Sequence, residues 1–179
     1  MPPSDVQLEP GENVVTIVHR HIINYLPILI ATVVVLALLS FAFGWVLANA
    51  GEVSKFFPVS VITMLIFVAA VIAILIALTG LVVFRRNILI LTDLHIFCVL
   101  QAGLFGRTIS KLTLDEIQDA EGRRKGVLAT IFNYGTVEIE TAGTAENFLF
   151  YYTPDPLGVA NKIDVQHENF ERAHTFERP

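Results

Sequence analysis

Two long apolar runs dominate the chain, and residues 28–47 and 59–84 contain no Asp, Glu, Lys, Arg or His. A short polar link, Ala48-Asn49-Ala50-Gly51-Glu52-Val53-Ser54-Lys55, joins them. An α-helix rises about 1.5 Å per residue, so about 20 residues cross the roughly 30 Å hydrocarbon core of a bilayer. Both runs reach that length, which predicts a transmembrane helical hairpin over residues 27–84. Pro27 and Pro58 open the two helices; proline is tolerated in a first helical turn, where its missing N–H costs nothing. Trp45 falls near the end of the first span, where an amphipathic ring favours the headgroup level.

After residue 86 the pattern shortens. Residues 88–91 are wholly apolar, 96–102 supply a partner strand, and 107–114 and 117–125 continue the series. Residues 135–141 alternate, with Val137 and Ile139 on one side and Thr136, Glu138 and Glu140 on the other. That is an antiparallel strand with one wet face. Residues 148–152 make a last strand. Turn signals stand at Thr92-Asp93-Leu94-His95, at Gly103-Leu104-Phe105-Gly106 and over residues 142–147. About six short strands spaced this way predict a β-sandwich or barrel.

Two helical pieces interrupt the series. Val127, Leu128, Ile131 and Phe132 share one face of a short helix stopped by Asn133 and Gly135. Asp155 and Pro156 then fit an N-cap and first-turn position, opening a helix through about residue 170. Leu157, Ala160, Ile163 and Phe170 would face the sheet, and residues 171–179 read as a polar tail. Ahead of the spans, the proline- and acid-rich residues 1–13 should be loose. Val14, Val15, Ile17, Val18, Ile22 and Ile23 suit a short amphipathic helix at the membrane interface, within an N-terminal segment 1–26. A strand joining the later sheet is the alternative.

Composition agrees with this division. The 179-residue chain is 54% hydrophobic, with a mean hydropathy of +0.62, too apolar for an ordinary soluble domain. Between residues 22 and 84 the only charged side chains are Glu52 and Lys55. Arg20, Arg85 and Arg86 flank the outer ends of the hairpin, against Lys55 alone in its loop. The positive-inside rule therefore predicts a multi-pass protein of the plasma membrane with both termini and the β-rich part in the cytoplasm. A net charge of −5 speaks against nucleic acid as a partner. The one cysteine, Cys98, lies in an apolar run and reads as a core residue.

Candidate chemistry is sparse. His19 and His21 point to different helix faces and make no metal pair. Gly103-Leu104-Phe105-Gly106 lacks the Lys-Ser/Thr of a phosphate loop. The neighbouring carboxylates Asp115 with Glu116, and Asp119 with Glu121, sit at strand ends as solvated charges. No catalytic residue, metal site or cofactor is expected, and the chain does not read as an enzyme. Two sets of residues suggest contacts instead. Arg85, Arg86, Arg107, Lys111, Arg123, Arg124 and Lys125 could meet anionic lipid, although a solvated loop explains Arg123–Lys125 as well. Ser40, Gly44 and Ala48 in the first span, and Ala69, Ala73, Ala77 and Gly80 in the second, form small-residue stripes that let helices pack closely. They could serve the hairpin, a second copy in a homo-oligomer, or another membrane protein.

Several motifs together carry a resemblance. Leu91-Thr92-Asp93-Leu94-His95-Ile96, Ala102-Gly103-Leu104-Phe105-Gly106-Arg107, Leu114-Asp115-Glu116-Ile117, Asn133-Tyr134-Gly135-Thr136-Val137 and Thr141-Ala142-Gly143 resemble the bacterial pleckstrin-homology (PH-like) domain of small membrane proteins. Pro10-Gly11-Glu12 ahead of the first span is similar too. The resemblance implies an α+β membrane protein: a two-helix hairpin preceding a PH-like domain over residues 85–170. That domain would have two roughly orthogonal antiparallel sheets and a C-terminal capping helix. The usual fold has one strand more than the sequence pattern supplies. Leu94-His95 stands where the family usually has Arg, so no basic role is carried over to that turn. The resemblance implies no catalytic residue and no defined ligand. It points to a non-catalytic, membrane-anchored interaction or scaffold module. The alternatives are an anionic-lipid sensor and an accessory subunit of a membrane complex acting through its hairpin.

Overall fold

The computed structural model describes residues 6–141 and 148–175, so the turn expected over 142–147 lies outside the described residues. The chain forms two compact units. One comprises residues 25–82; the other joins the segment before residue 25 to everything after residue 82.

The first unit contains α1 (Leu26–Ala48), α2 (Ala50–Val53) and most of α3 (Val59–Arg85). The long helices follow the two apolar runs to within two residues, and both are long and apolar enough to cross a membrane. Their side chains point outward: Phe41 and Phe67, for example, are largely exposed. Such an exterior suits hydrocarbon as its solvent, where every backbone polar group must be satisfied within the helix. The few hydroxyls obey the same rule. Thr32 and Ser40 donate to the carbonyls of Ile28 and Leu36 at 2.8 Å, and Thr79 donates to that of Ile76 at 2.9 Å. The two helices touch where the Tyr25 hydroxyl donates to the Ala77 carbonyl at 2.8 Å, and where Gly80 faces the side chain of Ile28.

In the second unit β1 (Val14–His19), β2 (Ile88–Thr92), β3 (His95–Gln101) and β4 (Arg107–Thr113) form an antiparallel sheet in that order. A second antiparallel sheet contains β5 (Ile117–Arg123), β6 (Tyr134–Thr141) and β7 (Phe148–Pro154). A short helix, α4 (Val127–Ile131), connects β5 to β6, and α5 (Pro156–Thr175) packs over β5 and β6. The alternating residues of β6 behave as their pattern requires, with Val137 and Ile139 buried and Glu140 exposed.

Three sequence expectations are corrected here. The segment expected as an amphipathic interfacial helix is the strand β1, with only a single 3₁₀ turn, Ile22–Asn24, after it. Its pattern misleads because a β-bulge falls between Val14 and Thr16. The extra residue places Val14 and Ile17 against the same apolar cluster, three apart, as on a helix. β1 is the strand missing from the sequence count. It pairs His19 with Ile88, so the hairpin does not precede the PH-like domain but is inserted between its first two strands. Second, residues 6–13 are docked rather than loose: Val6 and Leu8 pack on Ile88, Ile90, Phe97 and Val99. This explains why β2 is apolar throughout residues 88–91. Leu89 and Leu91 face the core between the sheets, while Ile88 and Ile90 face the N-terminal segment. Third, α5 continues to Thr175 through part of the expected polar tail, helped by an Arg172–Glu168 pair at 3.0 Å. Val159, Ala160 and Ile163 are its buried face, with Phe170 packed against them, whereas Leu157 is exposed.

Candidate functional site

A recess of the β domain lies over β6 and β7. It holds about 400 Å³ and is lined in part by Arg123, Lys125, Tyr134, Glu138, Tyr151 and Tyr152. Local backbone geometry sets its aromatic wall. The register of β6 against β7 shifts between Gly135 and Thr136, and Tyr152 takes φ +56°, a left-handed value that a bulky side chain rarely adopts. The Tyr134 ring stacks between His21 at 5.4 Å and Tyr152 at 6.2 Å between centroids. The His21 N–H donates to the Tyr152 carbonyl at 2.5 Å, which ties this wall to the segment just beyond β1.

The Arg123 guanidinium in the recess is already paired. Arg123 reaches Glu121 at 2.5 Å and Glu138 at 2.9 Å. Its hydrogen bond to Glu121, reinforced by the charges of Glu121 and Glu138, holds the guanidinium above its usual pKa. The same bond lowers the Glu121 carboxyl. Arg124 donates to the Asn133 side chain at 3.0 Å. The other members of the expected basic set lie apart from these. Arg107 and Lys111 sit on β4 in the opposite sheet, where Lys111 pairs with Glu9 at 2.9 Å. Arg85 closes α3, and Arg86 follows it, both exposed. Arg20 is half buried with its guanidinium 5.5 Å from the Phe150 ring centre, and burial lowers its pKa. Burial likewise pushes the Cys98 thiol up to about 11, against a smaller opposing effect of Arg20. Cys98 is a core residue.

The hairpin residues divide as well. Ala69 and Ala73 line a groove with Ile28, Ala31 and Val35, and Ser40 lines a second groove farther along the two helices. Gly44 meets nothing within 4 Å of where a Cβ would stand.

A buried polar cluster escaped the sequence reading altogether. Glu12, Thr92 and His95 are all buried, and the His95 Nδ1 lies 2.9 Å from Glu12 Oε1. Thr92 Oγ1 donates to Glu12 at 2.5 Å and accepts the His95 N–H at 2.7 Å. Next to it, Asn13 donates both its backbone and side-chain N–H groups to the Asp93 carboxylate, at 2.9 and 3.0 Å. Burial alone would raise the Glu12 carboxyl. Hydrogen bonds from Thr92, the Glu9 N–H and His95 outweigh it and hold the group below the usual carboxylate range. The Thr92–His95 turn therefore carries a histidine set against Glu12. The available signal was a histidine flanking a wholly apolar strand, with an acid in Pro10-Gly11-Glu12 to face it.

Among the described residues, no three His, Cys, Asp or Glu side chains gather as metal ligands would. The sequence profile of the Bacterial PH domain family matches residues 21–167, which take in both spans and every strand but β1. The chain belongs to that family. No curated protein and no solved structure matches the chain.

Proposed function

We propose that the chain is a non-catalytic interaction module of the plasma membrane, whose PH-like domain offers the recess over β6 and β7 to a segment of another protein on the cytoplasmic side. The observation that carries this reading is the insertion of the spans between β1 and β2. The domain is joined to its spans by the chain at two points, and only Arg86 and Asn87 separate α3 from β2. The excess of arginine at the outer ends of the hairpin supports the cytoplasmic side. The recess supports docking rather than catalysis: it combines tyrosines with a cation already neutralised by carboxylates, and among the described residues no nucleophile is set against a base there.

The pairing of Arg123 and Lys111 weighs against the alternative that the whole basic set senses anionic lipid. An apolar groove of about 490 Å³ between α1 and α3 favours, as a second reading, a hairpin that itself packs against another membrane protein or a second copy. A photo-crosslinking side chain at position 151, in the full protein in its native membrane, tests the first reading. A discrete protein adduct there, with none from position 169 on α5, supports it. Adducts from neither position, or only from within the hairpin, contradict it.

A further inference from the structure

We propose that the end of the PH-like domain from which the chain leaves for its spans is a bilayer-docking face. Two exposed apolar projections enter the headgroup region there, flanked by cations. The inference rests on the membrane-anchored reading above and adds which surface of the domain meets lipid.

The first projection is the β3–β4 turn. The Gln101 N–H donates to Asn87 Oδ1 at 3.0 Å, and Asn87 stands two residues past the end of α3. The turn is closed by an Ala102 N–H to Gly106 carbonyl bond of 2.8 Å. The Gln101 side-chain amide also donates to the Gly103 carbonyl at 2.5 Å. This built turn holds Phe105 98% exposed, with Leu104 beside it half exposed. A phenylalanine fixed in water by an ordered turn has no stabilising surroundings within the domain.

The second projection is α4. Val127, Leu128, Ile131 and Phe132 do share one face, but it points outward: Val127 is 76% exposed and Ile131 67%, while only Ala129 is buried. Three residues beyond α4, Tyr134 stacks on His21, itself five residues before α1. Each projection is therefore bonded or stacked to a residue adjoining one of the two spans.

Charge complements this placement. Arg124 and Lys125 are exposed immediately before α4, and Arg85 and Arg86 immediately before Asn87. Neither residues 102–107 nor residues 124–134 contain an Asp or Glu. Exposed apolar side chains next in sequence to exposed cations suit the interface of an anionic bilayer, where aliphatic and aromatic groups sink below headgroups that the cations meet. Glu138 and Asp155 nevertheless lie nearby, at the β6 and α5 side.

The test uses the full chain with Cys98→Ala, reconstituted in vesicles of phosphatidylcholine and phosphatidylglycerol. Single Phe105→Cys, Ile131→Cys or Asn169→Cys substitutions carry an environment-sensitive fluorophore, and circular dichroism checks the fold of each. Lipid-borne nitroxide is expected to quench the probes at positions 105 and 131 several-fold more than the one at 169, with aqueous iodide giving the reverse order. Arg124→Glu with Lys125→Glu should reduce lipid quenching at position 131. If iodide reaches positions 105 and 131 as readily as 169 while the spans stay protected from protease, the docking face is overturned and the anchored reading survives. Protection seen in native membranes but absent from pure lipid assigns the surface to a protein partner, and also overturns the proposal. Spans open to protease would bring down the anchored reading itself.

Discussion

His95 Nδ1 and Glu12 Oε1 stand 2.9 Å apart across 83 residues of chain, with the whole hairpin between them. The contact fastens the N-terminal segment to the β2–β3 turn, beside the strand that this segment contributes to the sheet. Removing His95 takes one hydrogen-bond partner from a buried carboxylate that keeps Thr92 and the Glu9 N–H. His95→Ala is therefore expected to destabilise the β domain by about 1–3 kcal/mol. His95→Gln, which keeps a donor for Glu12, should cost less than half as much. Guanidinium unfolding of the protein in detergent reads both.

Acid should loosen the same fastening. Burial pushes the Glu12 and Asp93 carboxyls up, but hydrogen bonds (from Thr92, Glu9 and His95 to Glu12, and from Asn13 to Asp93) leave both below their usual values of 4.5 and 3.8. A lowered folded pKa contributes stability that is fully present above the unfolded value and is lost as pH falls through the folded one. Protection of the Asn13 amide from hydrogen exchange, corrected for intrinsic rate, should stay level above about pH 5 and fall below about pH 4. A fall between pH 7 and pH 5 would contradict this assignment.

Asp164 on α5 should behave in the opposite sense. Burial first, and then the charge of Asp119, raise its carboxyl pKa, so its ionised form costs stability at neutral pH. Asp164→Asn is expected to stabilise the protein slightly at pH 7, by less than about 0.5 kcal/mol because solvent screens this partly exposed group, with the gain shrinking in acid as the native aspartate protonates. Thermal unfolding at two pH values measures it.

Gly135 gives a physical reason for the Tyr-Gly-Thr-Val motif. A Cβ there would collide with the Arg123 carbonyl and the Pro156 ring, and one at Gly122 would collide with the Pro156 carbonyl. The start of α5 lies directly on the β5–β6 backbone at these points. Alanine at either position should cost about 1–3 kcal/mol, through overpacking that only a backbone shift can relieve. Far-UV circular dichroism during denaturation would register the loss.

What the sequence made legible was whatever local pattern determines. The two spans, β2 to β7, α4 and the start of α5 follow from hydropathy period, turn residues and proline. β1 did not, because a bulge turned its alternation into a helical spacing, and because its partner Ile88 lies beyond the hairpin. The site was less legible than the fold. The partners that occupy Lys111 and Arg123 come from Glu9, 102 residues away, and from Glu138 on the neighbouring strand. The outward face of α4 looks in sequence like any core-facing helix. Strand pairing and surface exposure both depend on contacts distant along the chain, which periodicity does not encode.

The central claim is that the hairpin interrupts a PH-like domain whose first strand precedes it. Val18 of β1 is buried in the main core, and His19 pairs directly with Ile88. A version in which residues 25–82 are replaced by a short Gly-Ser loop should fold in water without detergent, with cooperative unfolding and dispersed amide resonances. A version beginning at Asn87 lacks β1 and the docked N-terminal segment, and should aggregate or unfold without cooperativity. Equal stability of the two would contradict the account, because β1 would then be dispensable to the sheet it is said to complete.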